Sequence, residues 1–193
     1  APLVMPGIYT LQLTIGAETF EQPLAVRQDP SSAGTLAELA EQTEFLLAIR
    51  DDVNATVDII DAIEWLRKGI ADVHQRTRQQ HIELGDPLRG QLHTLDEALI
   101  EVEMGLYDLR MTGGMAFQDT LRWPRQLFAK LTSLAGYVQG TDFAPTAQQF
   151  EVYEMYQERL ANAQTRLVEL RETASRVDAE LAAAGFGPIR AQH

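Results

Sequence analysis

The sequence predicts a mainly α protein: an antiparallel four-helix bundle preceded by a short β-hairpin. Two features of the apolar pattern carry that expectation. Up to Val26 the apolar residues recur at every second position, and from Thr35 onward they recur three and four apart. The first period is that of a half-buried strand and the second that of an amphipathic helix. A sustained alternation of three and four implies slightly crossed helices in left-handed packing, as in four-helix bundles. The expected organisation is a hairpin over 1–28, a linker over 29–34, the bundle over 35–185 and a tail over 186–193.

In the hairpin, Tyr9, Leu11, Leu13 and Ile15 alternate with Thr10, Gln12 and Thr14. Pro6-Gly7 signals a turn before this strand, and Gly16-Ala17 can turn the chain after it. Phe20, Leu24 and Val26 form a weaker second strand, where Pro23 points to a sheet edge or a bulge. Asp29-Pro30-Ser31-Ser32-Ala33-Gly34 reads as the linker.

Thr35 and Glu38 fit a capping box, in which the hydroxyl caps a free backbone N–H and the carboxylate reaches back. The stripe behind it runs Leu39, Leu46, Ile49, Val53, Ile60, Ile63 and Ile70, thickened by Phe45, Val57, Leu66 and Val73. The first helix therefore extends to about Gln80, roughly 70 Å at 1.5 Å per residue. Gly69 is its weak point, and Leu84-Gly85-Asp86-Pro87 is the stop. Asp86 is placed to cap the second helix, with Pro87 at its first position. That helix carries Leu92, Leu95, Leu99, Val102, Leu106 and Leu109, and Gly113-Gly114 closes it. Residues 112–122 read as a loop, with Trp123 biased towards extended backbone by the proline that follows. Pro124 opens the third helix, whose stripe is Leu127, Leu131, Leu134 and Val138 and whose end is Gly140. After a second capping box, Thr146 with Gln149, the fourth helix carries Tyr153, Tyr156, Leu160, Ala163, Leu167, Leu170, Ala174, Val177 and Leu181. Gly185 and Pro188 mark its end. No internal repeat longer than the heptads is visible.

Composition narrows the function. The formal charge is −12, against the clustered positive charge that nucleic acid or an anionic membrane surface requires. With 45% hydrophobic residues the chain is globular rather than disordered. It has no cysteine, which removes disulfides, thiolate metal sites and cysteine nucleophiles and leaves the redox compartment unreadable. No apolar run approaches the roughly 20 residues of a membrane span. Residues 1–7 have neither a basic n-region nor an apolar h-region, so no signal peptide is expected there.

Candidate chemistry is sparse. His74, His81 and His93 flank the first helix connection near Asp72, Glu83, Asp86 and Asp96. Imidazole and carboxylate suit Zn or Fe, but the residues three before these histidines are Ala71, Arg78 and Gly90, not the glutamates of a bundle di-iron site. Solvated helix-end histidines are expected. Glu97, Glu101 and Glu103, with Asp58, Asp61 and Glu64, offer acid–base pairs but fall mostly off the apolar stripes, on the solvent side. Ser133 and Ser175 lack a nucleophile elbow, and Gly113-Gly114 lacks the Gly-Lys-Ser/Thr of a phosphate loop. Asn54-Ala55-Thr56 matches a glycosylation sequon within a helix, where a chance match is the expectation. Trp123, Phe128, Tyr137, Phe143 and Phe150 surround the third helix connection, where they are expected to pack the bundle end, a binding patch being the alternative.

Two stretches carry a family resemblance. Pro6-Gly7-Ile8-Tyr9-Thr10-Leu11-Gln12-Leu13-Thr14, followed by Gln22-Pro23-Leu24-Ala25-Val26 and Asp29-Pro30, resembles the end of an immunoglobulin-like segment in large bacterial proteins with sortilin-like or sialidase-type BNR-repeat propellers. Leu121-Arg122-Trp123-Pro124-Arg125-Gln126-Leu127, Leu131-Thr132-Ser133-Leu134-Ala135-Gly136 and Ala144-Pro145-Thr146-Ala147-Gln148-Gln149 resemble the helical tail that follows in the same proteins. The resemblance implies that the hairpin belongs to an immunoglobulin-like sandwich. It also implies that the chain is the C-terminal part of a longer, exported protein, secreted, periplasmic or at the cell surface, with the propeller upstream. Such proteins are often glycosyl hydrolase-like, and their catalytic groups would sit in the propeller. No catalytic, cofactor-binding or metal-binding residue is therefore expected in this chain, and no cofactor.

The expected function is that of a non-catalytic accessory or assembly module. Its partners are then the upstream propeller and immunoglobulin-like domains or another chain, including a homo-oligomer, without nucleic acid or a membrane span. Two alternatives stand beside it: part of a glycoside hydrolase or peptidase whose active site lies in the propeller, and a free-standing ligand- or metal-binding bundle.

Overall fold

The computed structural model describes residues 2–111 and 119–189. Gly113-Gly114, most of the loop expected over 112–122 and the last four residues lie outside the described residues. The protein is mainly helical. A two-strand antiparallel hairpin, β1 (Gly7–Ile15) and β2 (Glu18–Val26), precedes α1 (Leu36–Gln80), α2 (Asp86–Leu106), the single turn α3 (Asp119–Arg122), α4 (Leu127–Gln139) and α5 (Ala147–Ala183).

Gly7 pairs with Val26 and Ile15 with Glu18, leaving Gly16-Ala17 as a two-residue turn. Gly16 has φ +62° and Ala17 is not in the positive-φ region. That combination is a type II′ turn, whose twist matches that of the strands it joins.

Both expected capping boxes form. The Glu38 N–H donates to Thr35 Oγ1 at 3.2 Å, and the Thr35 N–H donates to the Glu38 carboxylate at 2.8 Å. The Thr35 backbone bond, with the one from its hydroxyl, holds the Glu38 carboxyl below its usual range. At α5, Gln149 N–H donates to Thr146 Oγ1 at 3.3 Å and Thr146 N–H to Gln149 Oε1 at 2.8 Å. α5 closes as expected on Gly185 (φ +80°), with Phe186 N–H donating to the Leu181 carbonyl and Gly185 N–H to that of Ala182. This is the Schellman arrangement, which satisfies carbonyls the helix leaves free.

Several local expectations are corrected. α1 ends at Gln80 as expected, but what stops it is His81 rather than Leu84–Pro87: His81 takes φ +53° while Ile82 N–H donates to the Thr77 carbonyl and His81 N–H to that of Arg78. A histidine thus occupies the glycine position of a second Schellman motif. Asp86 does not cap α2: Gly85 holds the cap position without a side-chain bond, and Asp86, the first helical residue, pairs with Arg89 at 3.5 Å. α2 ends at Leu106, so Leu109 lies outside the helix and is exposed. The cause is Asp108, whose carboxylate accepts the Arg110 backbone N–H and so competes with the helix ladder. Asp119–Arg122 is helical rather than loop. Pro124 does not open α4, which begins at Leu127 because the Gln126 carbonyl starts its ladder by accepting the Lys130 N–H. Within α1, Thr56 and Ile59 are buried where Val57 and Ile60 were expected, and Val57 is exposed. The buried stripe therefore slips by one residue in mid-helix.

The chain divides into two compact units, Ala1–Asp51 with Thr132–Tyr153, and Asp52–Leu131 with Glu154–His193. In the first, Phe45, Leu46, Ile49, Leu134 and Val138 are buried, and Phe45 packs against Phe150 and Tyr153 at ring distances of 4.5 and 5.0 Å. Buried Gln42 Nε2 lies 3.0, 2.6 and 3.0 Å from the carbonyls of Val138, Thr141 and Phe143, so its two N–H groups are shared between the last turn of α4 and the loop that follows it. The expected linker is tied down in this unit. Gln28 Nε2 donates to the Gly34 carbonyl at 2.6 Å, and Gly34 lies so close to Asp142 that a Cβ there would clash with the Asp142 carbonyl oxygen.

The second unit holds a longer apolar core, in which Ile63, Leu92, Leu99, Leu131 and Leu181 are fully buried. The described part of the expected tail is held in place. Ile189 is buried, its N–H donates to the Asp178 carboxylate, and Arg76 donates to the Pro188 carbonyl at 3.3 Å. Burial raises the Asp178 carboxyl above its usual range.

Candidate interaction surface

The hairpin's pleat separates two faces. Tyr9, Leu11, Leu13 and Ile15 of β1 share one face with Phe20 and Leu24 of β2, because side chains alternate and Leu13 stands opposite Phe20 and Tyr9 opposite Leu24. The other face is mainly polar. Gln12 Nε2 donates to Glu21 at 3.0 Å, and the hydroxyls of Thr14 and Thr19 meet at 3.4 Å. A strand pair with this division normally lays its apolar face on a second layer. Here it does not: Leu11 is 53% exposed, Leu13 59%, Ile15 61%, Phe20 53% and Leu24 41%. Tyr9 and Val26, at the end of the hairpin away from the turn, are half-buried, the Tyr9 hydroxyl donating to the Met5 carbonyl at 2.6 Å. Covering the rest of such side chains is worth on the order of 1 kcal/mol each.

The other residues weighed in the sequence do not converge on a chemistry. His93 is exposed on α2, 3.3 Å from Glu97. His81 is the terminator of α1, and His74 is half-buried. Among the described residues, no group of three or more His, Asp or Glu is placed to hold a metal ion. Glu97 and Glu101 of α2 and Asp58, Asp61 and Glu64 of α1 are exposed, as expected. Ser175 donates to the Arg171 carbonyl at 2.9 Å, a helix-internal bond. Asn54 is exposed in mid-helix. Of the aromatic residues, Phe150 packs against Phe45 and Trp123 lies under the Arg110 guanidinium at 3.7 Å, whereas Tyr137 and Phe143 are exposed rather than packed.

Glu103 is the main departure from the expected solvent side. Its side chain is 1% exposed and accepts from Arg67 at 2.7 Å, while Arg67 also donates to Asp96 at 3.1 Å. The stripe of α2 turns by one residue after Leu99, burying Glu103 in place of Val102. Burial pushes the Glu103 carboxyl above its usual range against the opposing pull of Arg67. The guanidinium is committed to two carboxylates, so this cluster is an internal ion network. A sequence signal for it does exist: the series Leu88, Leu92, Leu95, Leu99, Glu103, Leu106 keeps helical spacing through an acid. Its basic partner lies on a different helix and cannot be read from spacing.

No family model, curated protein or solved structure matches the chain. Among the described residues, no helix is long and apolar enough to cross a membrane. The first unit also carries a groove of about 340 Å³, lined by Leu3, Met5, Val26, Leu39 and Leu46, with Thr43 Oγ1 3.4 Å from Met5 Sδ at its side. It is mostly apolar, with Arg27, Asp29 and Asp142 also in its lining. The uncovered sheet face is the more unusual feature, because an apolar strand pair in water lacks the layer that strand pairs require.

Proposed function

We propose that this chain is a non-catalytic accessory and assembly module that works through its hairpin. The single observation that carries this reading is the uncovered apolar face of β1–β2, with five of its large side chains at least 41% exposed. A two-stranded hairpin is marginal alone in water, and three or more strands with a hydrophobic face are needed for independent stability. The partner is a β-sheet outside this chain. On this reading the helices form an antiparallel four-helix bundle that carries the hairpin. The resemblance to propeller proteins extends it: the hairpin closes an immunoglobulin-like sandwich, and the whole is exported and works outside the cytoplasm.

Amide hydrogen exchange tests the proposal. In the isolated monomer the amides of residues 8–26 are expected to exchange much faster than those of buried helical residues such as Leu92 and Leu131, and to slow when a partner sheet is bound. Equal protection of hairpin and helices in a demonstrated monomer would refute it.

A further inference from the structure

Within that reading, we infer that the partner strand is β1 of a second copy of this chain, joined edge to edge and antiparallel about Leu11. The two edges of the hairpin are not equivalent. A two-residue II′ turn closes on a hydrogen-bonded pair, here Ile15 with Glu18. Counting back in twos, Leu13, Leu11, Tyr9 and Gly7 bond inward to β2. Ile8, Thr10, Gln12 and Thr14 therefore point their N–H and C=O groups away from it. On β2 the outward residues are Thr19, Glu21, Pro23 and Ala25. Pro23 has no N–H to offer and Glu21 is charged, two devices that guard sheet edges. β1 has neither: it carries no charge, no proline and no bulge.

β1 also fits itself. Leu11 is the midpoint of Gly7–Ile15. With Leu11 opposite the partner's Leu11, Thr10 meets the partner's Gln12 and Ile8 meets the partner's Thr14, giving about eight backbone hydrogen bonds. Apolar side chains stay on one face, Tyr9 beside the partner's Leu13. The product is a four-stranded layer, β2–β1–β1–β2, past the size at which an apolar-faced sheet becomes stable. Charge does not oppose it locally. Glu21 and its copy lie about three strand spacings apart, roughly 14 Å, beyond the Debye length of physiological salt. Edge pairing alone buries less than the roughly 800 Å² per partner of a standard interface, so the dimer is expected to depend on concentration.

The chain has no cysteine, which makes cross-linking a clean test. Leu11→Cys places two sulfurs on the dyad, where facing Cα atoms of a non-hydrogen-bonded pair are about 4.5 Å apart, within disulfide reach. Leu13→Cys places them about 14 Å apart along the strand. Under oxidised glutathione, Leu11→Cys is expected to form covalent dimer at least ten times faster than Leu13→Cys. In sedimentation of the otherwise unmodified chain, Gln12→Pro is expected to weaken the dimer at least tenfold, because it deletes an outward N–H of β1. Glu21→Pro, directly opposite, deletes one of β2 and is expected to leave the dimer unchanged. Equal cross-linking of the two cysteine variants, equal effects of the two prolines with helix content retained, or a monomer at about 1 mM would each overturn the inference. The assembly reading would survive those results if hairpin amides exchange fast in the monomer, and would fall only if they are as protected as the helix core.

Discussion

Removing Arg67 tests the internal ion network, and the size of the effect follows from the geometry. Glu103 is 1% exposed and Arg67 donates to it at 2.7 Å. Replacing Arg67 by Met keeps most of the side-chain volume and strands the carboxylate. Breaking a buried pair in this way typically costs about 3–5 kcal/mol. Protonation sets a ceiling on the charged part of that cost. From an ordinary carboxyl value of 4.5, taking up a proton at pH 7 costs about 3.4 kcal/mol, and at pH 5 about 0.7 kcal/mol. The sign follows from the direction of the shift. Glu103 in the folded protein already lies above its ordinary value, and loss of Arg67 raises it further. The stability this group contributes is therefore fully present below its unfolded value and is lost as pH rises through its folded value. In urea titrations of wild type and Arg67→Met between pH 5 and pH 8, the difference is expected to approach 3 kcal/mol at pH 7 and to fall below about 1 kcal/mol at pH 5. Adding Glu103→Gln to Arg67→Met is expected to recover most of the loss at pH 7. A difference that does not change with pH, or one under about 0.5 kcal/mol at pH 7, would refute the assignment of a desolvated carboxylate.

Leu167→Ala on α5 is expected to cost about 2–5 kcal/mol, because Leu167 is buried, whereas the exposed Glu169→Ala stays within about 0.5 kcal/mol. Urea midpoints in the reverse order would mean that the register of α5 is wrong. His81→Gly is expected to raise stability by about 1 kcal/mol, since glycine takes positive φ without strain, while the β-branched His81→Val lowers it. Unchanged melting in both would remove the helix-end role of that backbone. Gly34→Ala is expected to cost about 1–3 kcal/mol through the clash with the Asp142 carbonyl, and a variant as stable as wild type would show that this approach is not tight.

Local, short-range physics was legible in the sequence. The turn at Gly16, the capping boxes at Thr35 and Thr146, the end of α4 at Gly140 and the Schellman close at Gly185 depend on neighbours a few residues apart, and all form where expected. The stripes of α4 and α5 were legible for the same reason: a 3.6-residue period is a property of one helix. Where the outcome depended on residues remote in sequence, spacing could not decide it. Glu103 is buried because Arg67 reaches it across 36 positions, and Gln42 is buried because the last turn of α4 and the loop behind it offer carbonyls to its amide. The middle of α1 turns Thr56 inward, where its hydroxyl is satisfied by the Asp52 carbonyl at 2.7 Å, so a polar residue occupies a position the apolar pattern assigned to its neighbour. The interaction surface divides along the same line. Alternation in β1 already placed Leu11, Leu13 and Ile15 on one face, but only the folded chain shows that none of the described residues covers them, because burial is a property of what packs against a strand and not of the strand itself.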